Sequence, residues 1–392
     1  MRVVIAPDKF KGSLSAPDVA KHLATGLLAG FGQGLEATHI PVADGGEGTI
    51  DAAIGSGFTR RTTTVAGPLG EPVKADFAIR DQEAVIEMAA ASGLALLPEG
   101  PTSETAKNAT SLGTGELIRA ALDLGCRKII LGVGGSANTD AGAGVLQGLG
   151  AVFLDKNGNE LPGGGAALAR LETIDFSNFD VRIEATEFVL ASDVDNPLLG
   201  ASGAPAIFGP QKGATPDDVA ELDAALSHFV EVLAATTGQQ AKFAAKYAAK
   251  AEGAGAAGGV GYIAIAALKA ERRPGIDVVL EFTDLEQRLK GADLVITGEG
   301  SLDEQSLLGK TPMGVSRAAQ RNGVPVIAVC GRSTLSRDQL TDAGFHTVHA
   351  LTDLEKDVQQ CIAQAGPLLE QLGKHIGVYL AERTENKEYI NV

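Results

Sequence analysis

The sequence contains no tryptophan, and aromatic residues make up only 4% of its 392 positions. It has three cysteines, Cys126, Cys330 and Cys361, far apart and with no Cys-x-x-Cys pair. They read as buried thiols in a reducing compartment. The six histidines show no zinc spacing. His346 and His349 form a His-x-x-His, but on a predicted strand that odd spacing puts them on opposite faces. Basic residues are scarce: 33 Lys and Arg against 49 Asp and Glu, a net charge of −16. Nucleic-acid binding needs a concentrated basic face, so that partner class is excluded, although a few local lysines suffice for a phosphate. Long apolar runs are also missing. The longest uncharged stretch, Gly253 to Leu268, is Gly-rich and too short to span a bilayer. The N-terminus, MRVVIAPD, reads as a strand and not as a signal peptide. A cytoplasmic protein with no membrane partner is expected.

Glycine is what the chain has in excess, with 50 residues, and most of it marks tight turns and close backbone approaches. Val3–Ala6 reads as a buried strand, and Ser15 caps a helix with Pro17 in its first turn. A strand over Glu36–Val42 and a helix from about Ile50 follow. This β-loop-α-β-loop-α pattern predicts a parallel sheet with crossover helices. From Phe58 the texture changes to short alternating runs, Thr62–Val65, Val73–Ile79 and Ala84–Met88, which predict antiparallel or mixed pairing. Helices are expected over Ser111–Leu124, over Thr215–Leu233 and in an Ala-Lys-rich segment to about Ala251. The βα texture returns from Ala292, with strands at Leu294–Thr297, Pro325–Val329 and Thr347–Ala350 and a helix over Leu354–Leu372. The economical division is a discontinuous α/β domain, residues 1–62 and 290–392, with a mixed α/β domain, 63–289, inserted into it.

Polar, Gly-rich loops follow several of these strands, where open α/β sheets bind ligands. Lys9 and Lys11, with Ser13 nearby, suit a phosphate or carboxylate. Asp44 and Glu47 flank glycines and could hold Mg²⁺, or Asp44 could cap the next helix. The stretch Gly132 to Gly144 couples a strand to a small-residue helix. Its glycines offer N–H groups to an anion, and it carries Ser136, Asn138, Thr139 and Asp140. Gly132-x-Gly134-x-x-Ala137, with Asp155 about twenty residues on, also matches the dinucleotide fingerprint. Asp193 and Asn196 follow a strand, and Asp193 could orient a hydroxyl or accept its proton. Gly298–Ser306 carries Glu299, Ser301 and Asp303. Gly309-Lys310-Thr311 looks like the end of a P-loop but lacks the first glycine and the preceding strand. Together these loops suit Mg²⁺-assisted phosphoryl transfer, which depends on positioning and charge stabilisation.

Six blocks in order carry a resemblance: APDKFKGSLSA (6–16), PVADGGEGT (41–49), GVGGSANTDAGAG (132–144), ASDVDNPLLG (191–200), GAGAAGGVGY (253–262) and TGEGSLDEQSLLGKTPMGV (297–315). The chain resembles the bacterial type I glycerate kinases from residue 6 to about 332. Its Ala137-Asn138-Thr139-Asp140 presents the polar groups of the family pattern in swapped order. The resemblance implies ATP-dependent phosphorylation of D-glycerate with Mg²⁺, usually to 2-phosphoglycerate. It also implies two α/β domains, one flavodoxin-like, with the active site in an interdomain cleft.

Joined to the motif reading, this assigns Asp193 and Lys9 to catalysis and Asp44, Glu47 and Asp303 to the metal. Lys11, Ser13, Gly134, Gly135, Ser136, Asn138, Asp140, Asn196, Glu299, Ser301 and Lys310 are expected to bind substrate or phosphate. The partners are then ATP and glycerate, and the protein a monomer or homodimer. The rivals are an NAD-dependent hydroxyacid dehydrogenase using Gly132–Ala137 and Asp155, a kinase forming 3-phosphoglycerate, and a non-catalytic small-molecule binding protein.

Overall fold

The computed structural model describes residues 1–236, 244–307 and 309–385. Its strands, in chain order, are β1 (Arg2–Pro7), β2 (Glu36–His39), β3 (Thr59–Ala66), β4 (Pro72–Arg80), β5 (Glu83–Glu87), β6 (Lys128–Gly132), β7 (Val152–Leu154), β8 (Thr173–Asp175), β9 (Glu187–Ala191), β10 (Glu271–Arg273), β11 (Leu294–Leu302), β12 (Val326–Ser333) and β13 (Thr347–Ala350). The chain forms two compact units. One comprises Met1–Asp44, Asp51–Gly57 and Ile276–Val392; the other comprises Gly45–Ile50 and Phe58–Gly275. No helix among the described residues is long and apolar enough to cross a membrane.

The first unit is built on a five-stranded sheet in the order β13-β12-β11-β1-β2, parallel throughout. Counted by its own strands this is the 2-1-3-4-5 order of flavodoxin, so the expected flavodoxin-like sheet is present. The direction of strand addition reverses between β1 and β11, and ligands of such sheets bind beyond the carboxyl ends at that point. Val3, Ile5, Leu294, Ile296, Ile327 and Val329 line the core of this unit. Parallel sheets covered on both faces need such continuous apolar strands.

Helix Ala16–Phe31 starts as expected: the Ser15 side chain accepts from the Asp18 N–H, and Pro17 sits in the first turn. It packs on the long helix Ala365–Glu385 through glycines that sequence reading did not pair. A Cβ on Gly26 would lie 2.0 Å from the Glu370 carbonyl oxygen, and one on Gly30 would lie 2.2 Å from that of Lys374. Gly373 and Gly377 return the same intimacy against Leu23 and Leu27. Gly26→Ala is therefore expected to lower stability by about 1–3 kcal/mol, despite alanine's better helix propensity. Urea unfolding would measure this; an unchanged midpoint would show that the helices do not pack this closely.

The second unit carries a six-stranded sheet, β10-β9-β6-β5-β4-β3. Pairing is parallel from β10 to β5 and antiparallel from β5 through β4 to β3. The alternating runs after Phe58 are thus the antiparallel edge of a mixed sheet, as expected. Helices Leu112–Asp123 and Pro216–Thr236 and the apolar faces of β5, β6 and β9 enclose its core.

Several elements differ from expectation. Strand β11, expected to end at Thr297, runs on through Leu302; Gly298 lets the backbone approach Val329 closely, and a Cβ there would be 2.0 Å from the Val329 oxygen. The C-terminal helix is two helices, Val358–Ala363 and Ala365–Glu385. Strand β10 and helix Gly275–Phe282 are not among the expected elements. The expected Ala-Lys-rich helix falls partly outside the described residues, as does Leu308. All three cysteines are buried and free.

Candidate active site

In the first unit, β1 and β11 pair in register from Val3–Leu294 to Pro7–Gly298, which sets their carboxyl ends side by side. Asp8 follows β1 directly, and its N–H donates to the Gly298 carbonyl at 2.8 Å. Its side chain is only 7% exposed. One oxygen accepts from the Lys9 N–H at 2.7 Å and the other from the Thr311 hydroxyl at 2.6 Å. Thr311 opens helix Thr311–Arg321, whose first N–H groups no side chain caps. A helix N-terminus favours negative charge. Burial, reinforced by the Asp44 carboxylate, nevertheless pushes the Asp8 carboxyl up to about 6.

Glu299 lies near the end of β11 and is 9% exposed. Its Oε1 is buried and has no hydrogen-bond partner. Burial pushes this carboxyl up to about 7; Ser306 and Lys310 oppose the shift, and Asp8 and Asp303 add to it. Buried carboxylates raised by neighbouring carboxylates, Asp8 by Asp44 and Glu299 by Asp8 and Asp303, are arranged for a cation. Among the described residues no group of three or more His, Cys, Asp or Glu side chains is arranged to hold a metal by itself. Mg²⁺ characteristically takes one or two carboxylates and completes its shell with substrate phosphates and water. Asp8 and the orphaned Glu299 Oε1 fit that demand.

The loop after β1 turns back tightly, with the Phe10 N–H donating to the Leu14 carbonyl at 2.9 Å. It lies against Gly300, where a Cβ would be 3.3 Å from the Lys11 nitrogen. Lys9 and Lys11 are thereby held beside the end of β11. The Ser13 hydroxyl donates to the Ile362 carbonyl at 2.7 Å and so anchors the loop instead of facing a ligand. Asp303 caps the short helix Glu304–Leu307 by accepting from the Gln305 N–H at 3.0 Å. Ser301 takes a hydrogen bond from Arg332 Nε at 3.2 Å, and Lys310 donates to Gln305.

In the second unit, β6 and β9 pair from Lys128–Glu187 to Gly132–Ala191. Their carboxyl ends release the Gly132–Ser136 loop and the Ser192–Asn196 loop as neighbours. The Gly45-Gly46 backbone presses on the first of these loops and on Ala191 at the end of β9. A Cβ on Gly132 would be 2.4 Å from the Gly45 oxygen, and one on Gly45 would be 2.6 Å from the Gly275 Cα. Only glycine permits this layering. Asp193 is exposed, and its Oδ1 accepts from the Gly275 N–H at 3.0 Å. Asp195 is engaged by Arg272, which also reaches Glu252 at 3.5 Å. Asn196 donates to the Ser202 carbonyl at 2.9 Å.

Beyond Ser136 the loop dives inward. Asp140 is fully buried, and five donors converge on it: Ser111 N–H and hydroxyl at 2.8 Å each, Asn138 Nδ2 at 2.8 Å, and the N–H groups of Gly142 at 3.0 Å and Gly144 at 3.2 Å. Asn138 also donates to the Ala257 carbonyl at 3.0 Å. Ala141 and Ala257 both sit at left-handed φ, 54° and 53°, strain that this network holds in place. The expectation that Asn138 and Asp140 bind substrate thus gives way to an interior staple, since a carboxylate saturated by five donors has no capacity left for a ligand. Gly134 and Gly135 remain at the loop's outer turn, and Ser136, 8% exposed, sits just beneath them.

The dinucleotide reading fails on geometry. The next helix, Ala143–Gly148, begins six residues after Ala137 and is one and a half turns long, so no helix N-terminus faces the glycines. Asp155 is half-buried and closes its own turn, accepting from the Asn157 and Asn159 N–H groups at 2.8 and 2.9 Å. The expected metal set is divided as well: Asp44 belongs to the first unit, whereas the exposed Glu47 belongs to the second.

Sequence reading missed Asp8, Thr311 and Lys212. Lys212 is 2% exposed, and its ammonium donates to Ser136 Oγ at 2.9 Å and to the Asn138 carbonyl at 2.6 Å. Burial brings it down to about 7, against the pull of Asp140.

Comparison with known proteins bears on these two clusters. The profile of the Glycerate kinase family matches residues 3–381. A protein named "Glycerate kinase" from Bacillus subtilis (strain 168) is 42% identical over 379 residues, 96% of this chain and 97% of that protein. One named "Glycerate 2-kinase" from Escherichia coli (strain K12) is 45% identical over 337 residues, 85% of this chain and 86% of that one. A crystal structure described as a putative glycerate kinase 2 from Salmonella typhimurium LT2 superposes with a TM-score of 0.83 at 38% identity, covering 98% of this chain and 99% of the other.

Proposed function

The chain belongs to the glycerate kinase family, and we propose that it transfers the γ-phosphoryl group of ATP to the C2 hydroxyl of D-glycerate, yielding ADP and 2-phosphoglycerate. The observation that carries the choice of hydroxyl is the 45% identity, across 85% of the chain, to a protein named glycerate 2-kinase. The structural support is a polar cluster at the carboxyl ends of the parallel strands in each unit.

Asp193 supplies the acceptor side. The Gly275 N–H fixes its Oδ1, so the carboxylate is oriented to hold the C2 hydroxyl and take its proton as the bond to phosphorus forms. Gly134, Gly135 and Ser136 donate hydrogen bonds to an anion beside it. The donor side belongs to Lys9, Lys11 and Lys310, which compensate phosphate charge. Asp8 and Glu299 would hold Mg²⁺, which when bound would neutralise charge on the transferred phosphoryl group. No covalent enzyme intermediate is required, because positioning and charge stabilisation account for this class of reaction.

The test is glycerate-dependent ADP formation from ATP by the purified protein. The expected result is turnover with D-glycerate and none with glycerate omitted. Ligand binding without turnover would reduce the protein to a small-molecule binding protein.

A further inference from the structure

Lys212 takes no part in the mechanism above, yet it is the buried cation closest to the loop that faces the acceptor. Lys212 donates to both Ser136 Oγ and the Asn138 carbonyl, and in its protonated form it carries donors only, so the Ser136 oxygen accepts in this contact. Its own O–H is then left to donate elsewhere, and among the described residues no acceptor receives it. Asn138 cannot turn the loop over, since its carbonyl holds Lys212 and its amide is tied to Asp140 and Ala257. The loop therefore presents a hydroxyl proton, backed by a buried positive charge, at the carboxyl end of β6 and next to the strand that delivers Asp193.

We propose that Lys212 is a positioning residue that fixes Ser136 as an obligate hydrogen-bond donor, and that this hydroxyl binds the carboxylate of glycerate. The inference rests on the glycerate kinase reading and deepens it by naming the subsite for the acid group. A phosphate of ATP would satisfy the same donor chemically. Carboxylate is favoured because Ser136 and Asp193 leave neighbouring strand ends of one sheet, and C1 and C2 of glycerate are adjacent atoms. The ammonium buried here would serve poorly as an interior filler, since an apolar side chain of that length avoids the cost of burying a charge.

The experiment compares Lys212→Met, Lys212→Arg, Ser136→Ala and the Ser136→Ala/Lys212→Met double variant, measuring KM for glycerate, KM for ATP and kcat separately. Lys212→Met is expected to raise the glycerate KM about tenfold or more, with the ATP KM within about twofold, as for the loss of a charge-assisted hydrogen bond. Lys212→Arg should recover part of that loss. The double variant should be no worse than the worse single variant, because both remove one coupled interaction. An ATP KM that moves instead, equal changes in both KM values, or additive losses would each overturn the proposal. Should Lys212→Met not fold, Ser136→Ala alone decides: an unchanged glycerate KM would overturn it. Failure of the wild-type protein to phosphorylate glycerate would instead sink the functional reading, so the two outcomes remain distinct.

Discussion

Replacing Asp193 by Asn is expected to lower kcat by a factor on the order of 10² or more while changing KM for glycerate and ATP little. The substitution keeps the size of the side chain and its acceptor for the Gly275 N–H, now 3.0 Å away, so the loop should retain its shape. What it removes is the negative charge and the basicity that accept the hydroxyl proton. An interaction made chiefly in the transition state shows up in kcat and in kcat/KM alike, not in substrate affinity. Steady-state kinetics at saturating Mg²⁺ measure this directly. A variant retaining near-normal kcat would remove Asp193 from the chemistry and leave it as a turn residue of the Ser192–Asn196 loop.

The second large effect is expected at Glu299 and Asp8. Glu299→Gln keeps the volume near the end of β11 but replaces a hard anionic oxygen by a neutral amide. The Mg²⁺ concentration for half-maximal activity should rise about tenfold or more, the scale on which losses around metal sites act. Asp8→Asn should act in the same direction. Binding of Mn²⁺ with ATP, followed by the paramagnetic signal of the ion, gives a readout that does not depend on turnover. Unchanged Mn²⁺ binding in both variants would return these carboxylates to a structural role. Asp303→Asn is a useful contrast, because Asp303 caps helix Glu304–Leu307 and should affect the local fold more than the metal.

These two sites also show what could be read before any coordinates. The strand ends were legible because apolar runs such as Val3–Ala6 stop at polar, Gly-rich loops, and the caps at Ser15 and Thr215 follow from side-chain chemistry alone. The parallel sheet followed from the βα texture at both ends of the chain, and the six motif blocks carried the family and, with it, the flavodoxin-like expectation. Direction was not legible. In a loop of Ser, Asn, Thr and Asp, sequence does not say which heads face a ligand and which staple the interior. Ser136 keeps a small exposed fraction while Asn138 and Asp140 are fully swallowed, a decision made in part by Ser111 and Ala257 from distant segments. Lys212 was invisible for the same reason. It sits in a Gly-Pro-Gln-Lys-Gly turn that reads as solvent-exposed, and only tertiary packing buries it. Asp8 was overlooked beside two lysines, although the first residue past a central strand at a switch point is where a ligand group belongs.

The central claim is a reaction at one oxygen of one substrate. Phosphorus NMR of the product formed from D-glycerate and ATP tests it most directly, since the coupling of the new phosphorus resonance to carbon-bound protons reports its attachment. The account predicts a single new monophosphate signal split by one proton, the proton on C2, growing in step with ADP. A signal split by two protons would place the phosphate on C3, and ADP with inorganic phosphate alone would mean hydrolysis; either result would contradict it.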